Sequence, residues 1–224
     1  MVNLHSTYSG DSSTALVLGI TISNVVVPSV VDGILLFTFR SSGGLNPGDA
    51  TFGAGGSQQF TILQTTSGVQ TWFLPRPNVG TYNLVVGSYG SSRGAVFAML
   101  LVGTKTTGYN LGSEGGTGTS SIWVGGPIGG GVNGSDIDFS IFTFANRDTT
   151  LSPVPAPGVA TLLNLLVNSG GGASSYGFVV YTQPHSNFIG IGWTTTIITA
   201  TYNFVALSST VFNAPGTLTI RHAP

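Results

Sequence analysis

Apolar and polar residues fall in short runs with the period of strands. Residues 34–39 read Ile-Leu-Leu-Phe-Thr-Phe, opened by Asp32-Gly33 and stopped by Ser41-Ser42-Gly43-Gly44. Residues 69–74, Val-Gln-Thr-Trp-Phe-Leu, end at Pro75-Arg76-Pro77, and residues 82–86 lie between Gly80 and Gly87. Residues 95–102 are continuously apolar between Gly94 and Gly103. Ile137, Phe139 and Ile141 alternate with Asp138 and Ser140, and strand-like runs recur at 176–181, 193–207 and 217–220. A spacing of about 8–12 residues, punctuated by Gly, Pro, Ser and Asn, predicts an all-β sandwich or barrel. The apolar window 15–39 contains Ser23, Asn24, Pro28, Ser29 and Asp32. It fits two strands around a Pro-Ser turn and lacks the roughly 18 unbroken apolar residues of a membrane span. Residues 159–167 fit a short helix or a buried strand, and their neighbours favour the strand.

The glycine-rich stretch at 125–131 is a candidate linker, so a long loop or weak boundary is expected near 125–135 within one domain spanning 1–224. The sequence shows no fixed-period repeat. Composition narrows the partners. Of 224 residues only 13 are charged, 6 basic and 7 acidic, and none is Cys. The typical charged share is about 25%. The six cations, Arg40, Arg76, Arg93, Lys105, Arg147 and Arg221, are scattered, which speaks against phosphate neutralisation and so against nucleic acid. Disulfides and cysteine-ligated metals are excluded. The residues after Met1 show no basic-then-apolar leader, so synthesis in a host cytoplasm without export is expected.

The ordered set from Thr21 to Gly103 carries a family likeness. A hydrophobic strand leads to Asp32-Gly33-Ile34-Leu35-Leu36-Phe37, then to a hairpin from Thr51-Phe52-Gly53 to Ile62-Leu63. Next come Val69 to Leu74, Pro75-Arg76-Pro77-Asn78-Val79-Gly80-Thr81-Tyr82, and the apolar strand closing at Val102-Gly103. This block resembles a jelly-roll-like module of bacteriophage virion proteins and bacterial surface proteins. It departs at Gly103-Thr104, where that pattern prefers Gly-Val. The resemblance implies a sandwich used for adhesion or assembly, with no catalytic residues to carry over.

Candidate chemistry is sparse. Asp136 and Asp138, two apart on a predicted strand, share a face and are the best Ca²⁺ or acid-pair candidates. Asn133-Gly134-Ser135-Asp136 reads equally as a turn. Asp11, Asp32 and Asp49 each stand near a Gly and read as turn formers. His5, His185 and His222 are far apart and read as surface residues. No Gly-x-Ser-x-Gly occurs where a strand meets a helix, and the Gly-rich stretches open no helix that would cradle phosphate. No cofactor is implied. Trp72, Phe73, Trp123 and Trp193 are the interface candidates. Trp72 and Phe73 are adjacent, so they point to opposite faces of one strand, and the outward ring needs a partner.

With 13 charges the surface must be largely Ser, Thr, Asn, Gln, Gly and apolar atoms, and near-zero net charge removes self-repulsion. The expected protein is a non-enzymatic, jelly-roll-like antiparallel sandwich of about ten to twelve strands. Its expected role is structural: a capsid-decorating or capsid subunit of a bacterial or archaeal virus, acting in the virion with its own copies and other virion proteins. The alternative is a carbohydrate-binding or adhesive module of a phage tail or cell surface.

Overall fold

The computed structural model describes residues 3–11, 19–40, 48–66, 69–87, 94–104, 110–120, 122–127, 139–145, 189–192, 198–207 and 218–222. The described secondary structure is all β apart from one 3₁₀ turn, Ala54–Gly56. The strands of the first half are β1 (Asn3–Asp11), β2 (Ile20–Val27), β3 (Gly33–Arg40), β4 (Ala50–Phe52), β5 (Gln58–Gln59), β6 (Thr61–Thr66), β7 (Val69–Pro75), β8 (Gly80–Val86) and β9 (Gly94–Val102). They form two antiparallel sheets, ordered β1-β9-β3-β7-β6 and β2-β8-β4-β5. These pack face to face as a β-sandwich, joined by a core that includes Ile22, Val25, Leu36, Phe52, Trp72, Leu84 and Ala98.

The later strands are β10 (Asn110–Ser120), β11 (Ile122–Pro127), β12 (Phe139–Ala145), β13 (Ile189–Gly192), β14 (Ile198–Leu207) and β15 (Leu218–His222). They pair antiparallel as β10-β14-β12 and β13-β11-β15. The described strands thus number fifteen, above the ten to twelve expected. One reason lies in the residues read as a single hairpin from Thr51 to Leu63. Only β4 and β5 pair there, whereas β6 crosses to the other sheet and pairs with β7. Within the candidate linker, Gly125, Gly126 and Pro127 belong to β11 and pair with β15. Glycine lacks a side chain to pack but keeps both backbone hydrogen-bonding groups, so a ladder can run through it. Residues 159–167, 176–181 and 128–138 lie outside the described residues.

Local pattern explains the layers. In β2 the inward residues are Ile20, Ile22, Val25 and Val27; the alternation resets at Ser23–Asn24, where both face out. The β2–β8 register shifts there, and Asn24 sits at φ 59°, a left-handed conformation that Asn tolerates better than most residues. Strands β3, β7 and β9 are different: both faces are buried, which is why their sequences are near-continuously apolar. Leu36, Trp72 and Ala98 point into the sandwich, and Leu35, Phe37, Phe73, Phe97 and Met99 are buried outside that core cluster. Phe37 and Phe97 are directly opposite across β3 and β9 and stack at 6.4 Å. Strands β10 and β14 approach β6 and β7.

Asp32 braces one end of the sandwich. Its carboxylate accepts from the Gly103 N–H at 2.8 Å, the Thr104 N–H at 2.9 Å and the Thr104 hydroxyl at 2.6 Å. Its own N–H donates to the Leu101 carbonyl, and its carbonyl accepts from the Arg76 N–H. One residue therefore ties the start of β3 to the ends of β9 and β7. Gly33 beside it has no room for a side chain, since a Cβ would lie 2.7 Å from both the Phe73 ring and the Thr104 hydroxyl.

Candidate functional site

The outer face of the β2-β8-β4-β5 sheet is the exposed surface that the described fold presents most clearly. Alternation places Thr21, Ser23, Val26, Thr81, Asn83 and Val85 on it, all exposed. One row crosses the whole sheet in register, Thr21–Val85–Thr51–Gln59. Val26 pairs with Thr81 further along, and the Asn24 N–H donates to the Asn83 side chain at 3.3 Å. Val26 is 51% exposed and Val85 37%. The four strands contain no Asp, Glu, Lys or Arg. From strand spacing and rise the face covers roughly 400 Å².

A polar tip borders this face. The Gln58 amide donates to the Arg76 carbonyl at 2.9 Å, and its oxygen accepts from the Asn78 N–H at 2.7 Å. The clamp holds Arg76 at φ 50°. Gly53, at φ 90°, lets the turn close, because a Cβ there would meet Ser57 and Asn78 at 2.9 and 3.0 Å. Tyr82 lies edge-on to Phe52 at 5.6 Å, which seats β8 on β4.

The interface candidates fare unequally. Trp72 and Phe73 do face opposite ways, yet both are 0% exposed within this single chain. Trp72 lies in the sandwich core, its indole N–H donating to the Thr38 hydroxyl at 2.9 Å. Phe73 is closed in on the other face beside Gly33. Neither offers surface to a second molecule. Trp123 is on β11 opposite Ile191 and His222. Trp193, Asp136 and Asp138 lie outside the described residues. Among the described residues no three His, Cys, Asp or Glu gather as a metal site. No family model, curated protein or solved structure matches the chain. No helix among the described residues is long and apolar enough to cross a membrane, which says nothing of a β-barrel.

Pattern reading found the strands of the uncharged face but not the face itself, because it depends on which sheet each strand joins. The signal was present in the Thr/Val alternation of residues 20–27 and 80–86. Local pattern marks Asp32 only as a turn former, and nothing near it in sequence points to Thr104, whose hydroxyl closes the brace.

Proposed function

We propose that this protein is a non-catalytic structural subunit of a virion, a capsid-building or capsid-decorating protein of a bacterial or archaeal virus, working by packing against its own copies and other virion proteins. The observation carrying the packing part is the uncharged outer face of β2-β8-β4-β5, with Val26 and Val85 half in water. Its viral setting rests on the resemblance of residues 21–103 to jelly-roll-like virion modules. A face of roughly 400 Å² is about half of what each partner buries in a stable pairwise complex. Such a face suits many weak, repeated contacts in a lattice better than one tight dimer. A sugar-stacking module would want exposed aromatic rings, whereas the exposed large hydrophobics among the described residues up to Thr104 are Val26, Val30, Val79 and Val85.

Light scattering over a concentration series tests the reading. The natural chain is expected to grow into assemblies, and the Val26→Lys, Val85→Lys double variant to remain monomeric with the same circular dichroism. A natural chain that stays monomeric alone and beside purified shells, or a lysine variant that assembles normally, overturns it.

A further inference from the structure

The edge of β9 is the most demanding edge in the described structure. Its sequence, Gly-Ala-Val-Phe-Ala-Met-Leu-Leu-Val, is apolar throughout, and from Gly94 to Leu101 every residue is buried. An apolar edge of this length must be covered, or it recruits any strand it meets. Its cover is β1, paired from Asn3↔Val102 to Asp11↔Ala95.

Three observations show that β1 holds its place mainly through backbone hydrogen bonds, which any copy of β1 would make equally well. Along β1 the residues alternate half-buried and exposed from Leu4 to Gly10, and none is fully buried. The ladder shifts register between Leu4 and Ser6. Tyr8 makes the side-chain link to the opposite sheet: it is partly buried against the core, and its hydroxyl accepts from the Val26 N–H at 3.1 Å and lies 3.4 Å from the Val26 carbonyl. The link is exposed, and it stands in for a neighbouring strand at one residue of the β2 edge.

The covalent connection is longer than the home position requires. A Cβ on Gly10 would lie 3.0 Å from Ile20, so the end of β1 and the start of β2 are close together. The intervening residues, 12–18, are enough chain to span about 25 Å when extended. Charge does not oppose a move, because formal net charge is −1 per chain and Asp11 is the one Asp, Glu, Lys or Arg on β1.

We propose that the β9 edge is a strand-acceptor site whose occupant in the assembled state is β1 of a second copy of this chain. The inference rests on the assembly reading above and names a second contact for it. Exchange adds no new interface chemistry: the β1–β9 ladder and the Tyr8–Val26 link reform between subunits, so joining is low in cost and head-to-tail.

The chain has no cysteine, which makes the test clean. Thr7 lies opposite Met99, and Met99 is fully buried, so a sulfur at 99 is reached only by a strand lying on β9. Full-length Thr7→Cys and Met99→Cys chains are refolded together, allowed to assemble and oxidised. Exchange gives a mixed disulfide dimer absent from either chain alone, at up to about a quarter of all junctions in an equal mixture. The pair Asn3→Cys and Val102→Cys, at a half-buried position, repeats the test if Met99→Cys folds poorly. With both cysteines in one chain and oxidised as the monomer, assembly is lost and returns on reduction. Normal assembly without mixed disulfide overturns strand exchange and leaves the sheet-face reading standing. A natural chain that stays monomeric alone and beside purified shells removes both.

Discussion

The Asp32 carboxylate accepts from two backbone N–H groups and one hydroxyl, so its removal leaves several groups near the sandwich end without partners. Asp32→Ala is expected to lower stability by about 2–3 kcal/mol in urea unfolding. Thr104→Val removes only the hydroxyl bond and is expected to cost about 1 kcal/mol. The double variant should fall short of the sum, since both changes break one shared bond. The brace escaped pattern reading because its partners are 72 residues apart in sequence and an Asp beside a Gly has a sufficient local explanation. Trp72 and Phe73 carry a related lesson. Adjacent residues point to opposite faces, which is local, but whether the outward face meets solvent or the rest of the chain is not. Trp72→Ala and Phe73→Ala are each expected to destabilise the monomer by about 3–5 kcal/mol. An unchanged urea midpoint for either would return it to the list of intermolecular contacts.

At the scale of elements, legibility followed side-chain demand. Strands β3, β7, β8 and β9 are located from Gly and Pro to within two residues because their apolar runs are dense and their stops abrupt. β1 passed unnoticed, since Asn-Leu-His-Ser-Thr-Tyr-Ser-Gly-Asp has too few large apolar residues to mark a face. β10 and β11 were missed for the opposite reason: glycine reads as a breaker, and a ladder needs only its backbone. The crossing of β6 between sheets turns on long-range pairing, which no local pattern encodes. The turn after β7 leans on one side chain. Gln58→Ala removes its bonds to the Arg76 carbonyl and from the Asn78 N–H and leaves the Arg76 N–H on the Asp32 carbonyl. It is expected to cost about 1–2 kcal/mol and to speed hydrogen exchange at the Asn78 amide, with the core amides of β3 and β9 slowed as before.

At the scale of the molecule, the charges among the described residues have a location. Asp11, Arg40, Asp32, Asp49 and Arg76 stand at strand ends or turns, and the four strands of the uncharged face have none. Glu114 and Arg221 are exceptions, lying inside β10 and β15. The lysine substitutions at Val26 and Val85 are therefore expected to change monomer stability by less than about 0.5 kcal/mol while abolishing assembly. The order of strands also sets a timetable for biosynthesis. β1 leaves the ribosome well before β9, and every residue it pairs with lies between Ala95 and Val102. At about 5–20 residues per second, it waits on the order of 5–20 s for its partner to be made. Throughout that interval a polysome holds many copies of β1 side by side, and the earliest finished β9 meets several of them at once.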